Sequence, residues 1–547
     1  MEMKTPTPSL ALAAAFVLAF GTALLADTPS VAIAVDPDSG RTPISPYIYG
    51  TNQDLPGVTS GARRFGGNRA TGYNWENNAS NAGKDWKHLS DDEATASEGI
   101  PAAQAAVPAI ALTHFHDQSL ARGVPYTILT LPMAGYVAAD ENGPVSEAET
   151  APSPRWARVQ FAKPGPYAYP PDLTDGVVYV DELLNLLVTR YGPASGPRGV
   201  KAYDLDNETE LWSDTHPRIH PGKPLCSEII SRSVDLARVV KRVDPSAEVL
   251  GPVSWGATAY VSYQEAGDWA AERARGAYSW FIDYYLDRMR AASEAAGVRL
   301  LDVLDVHRYC DHEAGGESVV NTRNYSNIEC NEGRLQAPRS LWDPSFRENS
   351  WVERTFPDCF PYIPKFQASI RAFYPGTRLG FTEYNYGGET DVTGGLAQAD
   401  VLGIYGKYGV YLANFWQLHT EANPSYVAAA FRLYLDCDGS GGRFGDTEVA
   451  SQTSDPVFSS VYASLGGRSS RSLHVVAINK NYRQHMALTV TIAGATRYAG
   501  ARVFAFDSTT SALTERAPVA AMEGNRFTYS LPPLSAAHFV LEPAAAQ

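Results

Sequence analysis

The chain is poor in the features that mark small stapled, metal-built, nucleic-acid-binding or membrane-embedded proteins. It has five cysteines in 547 residues, at positions 226, 310, 330, 359 and 437. None has CxxC spacing, which argues against a zinc site, and the odd count leaves a thiol over in any pairing. A pair among Cys310, Cys330 and Cys359 would staple one long loop. No run of Lys or Arg occurs, and 45 basic against 60 acidic residues give a net charge of −15. That balance argues against nucleic acid, since phosphate binding needs basic patches. Past residue 26 no stretch is apolar enough to cross a bilayer. Internal repeats, low-complexity linkers and appended binding modules are missing too.

What is present is globular. The composition is 44% hydrophobic and 19% charged, which is not that of a disordered chain. A length of 547 residues exceeds one ordinary core, so two domains are expected. At the start, Lys4 precedes an apolar run from Leu10 to Ala26 that ends in small residues. That is the pattern of a cleavable signal peptide, residues 1–26. A retained anchor is the alternative, but the run is short for a span of about 20 residues. The mature chain is expected to be soluble, exported and monomeric.

Hydrophobic periodicity sets the architecture. Eight short strand candidates follow in order: Pro46–Asn52, Ala62–Gly67, Tyr126–Gly135, Val200–Glu208, Glu248–Trp255, Leu300–Tyr309, Thr377–Tyr386 and Val410–Leu418. Amphipathic helices lie between them, at Val180–Tyr191, Ser227–Val243, Tyr278–Ala296 and Ala397–Tyr408, with a closing helix at Ser425–Leu435. Alternating strands and helices with Val/Ile/Leu-rich strands predict a parallel sheet, and eight units predict a closed (β/α)8 TIM barrel over residues 46–440. From about residue 441 the texture changes to short alternating strands with Gly, Ser and Asn turns. That predicts a smaller antiparallel β-sandwich over 441–547, joined by an N-terminal strand within 27–45.

The fourth and seventh strand candidates each end on a glutamate, Glu208 and Glu383. The active face of a parallel barrel is formed by its strand C-termini. Two carboxylates delivered there are what a glycosidase needs, one to protonate the leaving oxygen and one to attack the anomeric carbon. Asn207, just before Glu208, is placed to hydrogen-bond a sugar 2-OH. Tyr384 is placed either to steer the Glu383 carboxylate or to fill the core. Glu210 is a rival acid, because strand alternation puts it on the same face as Glu208. Arg64 and Asn68, after the second strand, are candidates for binding sugar hydroxyls or holding the carboxylates by charge-assisted bonds. His307 and Tyr309 end the sixth strand. Trp416 ends the eighth and is the foremost candidate for stacking on sugar, with Trp86, Trp342 and Trp351 on loops behind it. Glu208 and Glu383 are 175 residues apart, long for three strand–helix units. The excess falls at about 311–361, a Gly-, Asn- and Arg-rich stretch expected to be a functional or mobile loop.

The run from Arg64 to Trp86 (RFGGNRATGYNWENNASNAGKDW) resembles the signature of glycoside hydrolase family 44. Leu205-Asp206-Asn207-Glu208, Thr215–Pro221 and Thr382-Glu383-Tyr384-Asn385 resemble it as well, and the likeness runs from about Ser45 to the C-terminus. The resemblance implies a barrel plus sandwich and a retaining endo-β-1,4-glucanase, in a family of which many members also cut xyloglucan. It implies Glu208 as acid/base, Glu383 as nucleophile, and His307 and Tyr309 near the sugar and nucleophile. It also implies a structural calcium held by Glu76, Asp172 and Asp175. No cofactor is expected for the chemistry, and the expected partner is a β-glucan polysaccharide. The chain departs from the family pattern in having Thr209 where Asn-Glu-Pro is usual. It also has Arg308 and Cys310 where Trp and Pro are usual, so the adjacent subsite is expected to differ. Two other readings stand beside this one: another barrel glycosidase, such as a xylanase or mannanase, and an inactive glycan-binding protein that has kept the cleft.

Overall fold

The computed structural model describes residues 29–276, 278–420, 422–466 and 470–544. The segment read as a signal peptide lies outside them. Eight parallel strands close into a barrel: Gly50–Thr51, Arg63–Phe65, Thr127–Leu131, Ala202–Leu205, Glu248–Ser254, Val303–Tyr309, Arg378–Asn385 and Leu412–Phe415. They close in chain order, with the eighth strand hydrogen-bonded to the first. The eight expected strands are all present, several of them shorter than read. Pro46–Tyr49, expected as strand, is a 3-10 helix instead: Pro46 pre-sets its first turn and the Ser45 hydroxyl accepts from the Tyr47 N–H. The fourth strand stops at Leu205, so Glu208 lies three residues beyond it rather than at its end.

The barrel interior is layered, as the period of two along each strand requires. Ala62, Tyr126, Ile128, Ala202, Leu250, Val303 and Leu412 form an apolar floor. Two residues further along, Arg64, Asp204 and Asp305 form a buried charged layer. Two further again comes the rim with His307 and Trp416. The helices wrap this cylinder with one apolar stripe inward. In Cys226–Val243 that stripe is Ile229, Ser233, Leu236, Ala237 and Val240, all buried.

Residues 311–361 are not a bare loop. They form a small hairpin, the helices Ile328–Gln336 and Trp351–Thr355, and 3-10 turns at Ala337–Leu341 and Pro357–Cys359. Cys330, Leu335, Leu341 and Val352 are fully buried and give the insertion a core of its own contiguous with the barrel's. No cysteine pair staples it: all five thiols are free and buried. Unanticipated as well is the excursion between the third and fourth barrel strands. It adds a three-stranded sheet of Tyr136–Ala138, Trp156–Gln160 and Val177–Tyr179.

The second domain packs a four-stranded sheet on a seven-stranded one. Strand Ser30–Asp36 does join it, with Val31, Ile33 and Val35 buried and the residues between them exposed. Expected as antiparallel throughout, the sandwich has one parallel pair, Ser30–Asp36 beside Met486–Ile492. These two strands come from opposite ends of the chain, so no hairpin fixes their relative direction.

Candidate active site

Past Leu205 the backbone leaves the strand abruptly. Asp206 (φ 67°) and Glu208 (φ 43°) are both left-handed, which costs an L-residue about 1–2 kcal/mol. Four donors offset the strain by fixing the Asp206 carboxylate: the Thr71 hydroxyl and the backbone N–H groups of Met133, Ala134 and Asn207. The turn brings the Glu208 carboxylate to His307 on the sixth strand. Glu383 arrives more simply, on the seventh strand, in register with His307 on the sixth.

At the mouth, His307 Nδ1 stands 2.9 Å from Glu208 Oε1 and 3.6 Å from Glu383 Oε2. One carboxylate oxygen of Glu208 and one of Glu383 lie within 4.8 Å of each other. The Tyr309 hydroxyl donates to Glu383 Oε2 at 2.7 Å and Arg64 Nη1 to Glu383 Oε1 at 2.7 Å. Arg64 also donates to Asp204 and, at 2.8 Å, to Asn207 Oδ1. The Asn207 amide donates to Asn68 Oδ1 at 3.0 Å, and Asn68 in turn to Asp85 at 2.8 Å. One buried guanidinium thus orients both the carboxylate at position 383 and the amide beside Glu208.

The two glutamates are pushed apart electrostatically. Burial raises Glu208 above the usual carboxylate range, and the negative charge of Glu383 adds to this against an opposing bond from His307. Burial acts on Glu383 in the same direction. There the His307 and Arg64 charges and the bonds from Tyr309 and Arg64 outweigh it and hold Glu383 low. One carboxyl therefore keeps its proton more readily than the other, the division an acid and a nucleophile require. His307 is itself raised: burial opposes its charge, but the two carboxylates win.

The rival Glu210 faces elsewhere. It is buried, accepts from the Trp255 N–H at 2.8 Å, and burial pushes it up to about 7. The left-handed residue at 208 breaks the alternation that had put both on one face. Tyr384 belongs to the core: it is fully buried, its hydroxyl accepts from Gln398 Nε2 at 2.7 Å, and its ring packs edge-on to Tyr405. With Glu383 turned into the barrel, the next residue must turn outward. Tyr309 takes the steering contact instead.

Trp416 is half-buried and covers Gly67, where a Cβ would meet the ring at 2.6 Å and where φ is +86°. Glycine at 67 is what lets the outer edge of the indole come this close to the second-strand turn. Trp86 is 58% exposed on the short turn Gly83–Trp86, beside the Asp85 that holds Asn68. Trp342 stacks on Tyr408, away from the mouth. Among the described residues, Glu208, His307 and Glu383 form the only group of three potential ligands so tightly gathered. Glu76, Asp172 and Asp175 are not so gathered. Asp172 and Asp175 are exposed and bond the nearby Thr174 and Val177 N–H groups. Glu76 is buried, and burial together with the charges of Asp175 and Glu182 pushes it up to about 8. Glu182 is fully buried with Oε2 unpartnered. Its Oε1 is paired with the Lys163 ammonium at 2.6 Å, whose charge also opposes the rise of Glu76, and the remaining carboxylate oxygens here are the hard donors that calcium takes.

Paired carboxylates at the strand ends of a closed parallel barrel, braced by an arginine, a histidine and a tyrosine and rimmed by tryptophans, define a barrel glycosidase. The family model described as glycoside hydrolase family 44 matches residues 79–312. Endoglucanase A of Paenibacillus lautus is 51% identical over 513 residues, 94% of this chain and 72% of that protein. A family 44 endoglucanase structure from Clostridium thermocellum is 51% identical, with a TM-score of 0.92 over 94% of this chain and 100% of that one. A family 44 xyloglucanase from Paenibacillus polymyxa, solved with xyloglucan, is 50% identical, with the same TM-score and coverage. The chain belongs to glycoside hydrolase family 44.

Proposed function

We propose that the protein is an endo-β-1,4-glucanase that cleaves cellulose-type glucans and xyloglucan with retention of configuration. Glu208 acts as acid and then base, and Glu383 as nucleophile. The observation that carries the mechanism is the separation of under 4.8 Å between an oxygen of each. Retaining enzymes hold their carboxyl groups about 5–5.5 Å apart, whereas inverting ones need about 6.5–9.5 Å to admit a water. In the first step Glu383 attacks the anomeric carbon while Glu208 gives its proton to the departing oxygen. In the second, Glu208 takes a proton from water, which displaces Glu383. The bonds from Arg64 and Tyr309 keep the nucleophile ionised and aimed, and Asn207 is positioned for the sugar 2-OH. The substrate is supported by relatives named for endoglucanase and xyloglucanase activity.

In this reading residues 46–440 carry the chemistry, while 27–45 and 441–547 form the sandwich. Residues 1–26 direct export, and the mature chain works as a monomer on a polymer outside the cell. No described helix is long and apolar enough to cross a membrane. Glu76, Asp172 and Asp175 hold a structural calcium, as the family resemblance implies, which would neutralise the buried Glu76 and brace the loop before Val180–Tyr191. Stripping calcium from the purified protein should lower its melting temperature, by about 3 kcal/mol of lost stability where calcium had stood at 100 times its dissociation constant. An unchanged melting curve on protein proved metal-free overturns the calcium site.

The test of the function is a panel of carboxymethyl cellulose, xyloglucan, xylan and mannan, with reducing ends measured on each and proton NMR of fresh hydrolysate. The first two should be the best substrates, and the β-anomer should appear first. An early α-anomer means inversion and removes the nucleophile role from Glu383.

A further inference from the structure

The strand order divides the barrel mouth unequally. Glu208 follows the fourth strand and Glu383 sits in the seventh, so the fifth and sixth lie on one side of the pair. The eighth, first, second and third lie on the other. Asn207 is tied by Arg64 and Asn68 toward that longer arc, and an amide that reads the 2-OH contacts the sugar being transferred. The shorter arc is then left for the sugar that departs. The loops after the sixth strand line a cavity of about 330 Å³ with Tyr309, Asp311 and Trp351, closed on its far side by Leu418 from beyond the eighth strand.

Arg308 stands beneath this cavity. It lies between His307 and Tyr309 on the sixth strand, turned to the opposite face and only 3% exposed. Nη2 donates to the buried Glu348 at 2.7 Å. Nη1 donates to Asp311 Oδ2 at 3.1 Å and to the carbonyl of Tyr309. The second oxygen of Asp311 accepts from the indole N–H of Trp351 at 3.0 Å. Trp351 is 37% exposed, so it keeps an open face. On the helix-facing side the guanidinium also lies over the Tyr362 ring at 4.5 Å, and burying an arginine is expensive unless it is well paired in this way. The chain places it where its bonds run through one loop carboxylate to one half-exposed indole.

We propose that Arg308 is a positioning residue for the leaving-group side of the cleft. Acting through Asp311, it holds Trp351 as a stacking face for the departing sugar. The inference rests on the endo-glucanase reading above. The test compares kcat/KM on a soluble cello-oligosaccharide that fills both arcs with kcat/KM on β-cellobiosyl fluoride, whose leaving group fills neither cavity nor platform. In Arg308→Lys, Asp311→Asn and Trp351→Ala, the ratio of the two should fall about tenfold, mainly through a higher KM on the oligosaccharide. The Arg308→Lys/Trp351→Ala double variant should fall no further than Trp351→Ala alone, because the two act in series. Equal losses on both substrates, or losses in the double variant that multiply, overturn the proposal. If Arg308→Lys fails to fold, Asp311→Asn decides, since it leaves the Arg308–Glu348 pair in place. If the unaltered protein cleaves neither substrate, the endo-glucanase reading itself has failed and takes this inference with it.

Discussion

At the barrel mouth each of four buried carboxylates has a donor. Asp204 has Arg64, Asp206 has four groups, Asp305 has the N–H and hydroxyl of Thr382, and Glu383 has Arg64 and Tyr309. At the joint between barrel and sandwich the picture is mixed. Asp400 is satisfied by Lys480 at 2.7 Å and by the Tyr462 hydroxyl. Glu448, 4% exposed, has no partner on either oxygen. Both regions bury acids, and both raise the cost of ionising them. At the mouth the His307 and Arg64 charges hold Glu383 low, although burial still pushes Asp305 beneath it up to about 7. The joint leaves Glu448 to hold its proton: burial pushes it up to about 8, with only the Lys407 charge opposing. A perturbed pKa therefore marks chemistry only where the same surroundings also hold a second group at a different value.

The largest effect should come from breaking the mouth. In the proposed mechanism Glu383→Gly removes the group that forms the bond to the sugar, and activity on glucans should fall at least about 10⁴-fold, about 5 kcal/mol of barrier. Azide should restore turnover of an activated cellobioside by entering the vacated space, and the product should be the α-azide. Residual activity within tenfold of the parent, or a β-azide, would assign the attack to another group.

Glu448→Gln tests the joint, where no activity should change. The native state keeps a proton on Glu448 up to about pH 8, while the unfolded chain releases it near the ordinary value of about 4.3. Between those two values the native state binds more protons, so stability falls as pH rises, and it levels off above pH 8. The glutamine variant has no such proton to lose. Its unfolding free energy from urea titration should match the parent near pH 4.5 and exceed it at pH 9, by about 2–4 kcal/mol. Parallel stability–pH curves for the two proteins would falsify the assignment.

How much of this was legible in sequence depended on how local each signal was. Strand and helix periods are local, and the helices Val180–Tyr191 and Ser425–Leu435 fall where the pattern put them. Glu208, Glu383, Asn207, His307 and Arg64 stood out because each adjoins a strand end. Asp204, Asp206 and Asp305 did not, since their meaning lies in partners 70 or more residues away: Arg64, Met133 and Thr382. The left-handed turn that separates Glu208 from Glu210 leaves no glycine to announce it. The insertion read as a loop because its length was in excess and its composition rich in Gly, Asn and Arg, yet Leu335, Leu341 and Val352 are enough to anchor it.

Tyr384 gives the smallest effect and the sharpest line between mouth and core. It is the chain neighbour of Glu383, but its hydroxyl meets only Gln398, whereas the Tyr309 hydroxyl meets the carboxylate itself. Tyr384→Phe should cost about 1 kcal/mol of stability, one hydrogen bond, and leave kcat/KM within about twofold. The acid limb of the pH–rate profile, where Glu383 takes up a proton and stops attacking, should stay where it is. Tyr309→Phe removes a bond that holds Glu383 low, so its acid limb should move to higher pH. If the limb moves in Tyr384→Phe and not in Tyr309→Phe, the steering contact has been given to the wrong tyrosine. If it moves in neither, the charges of His307 and Arg64 alone keep the nucleophile ionised.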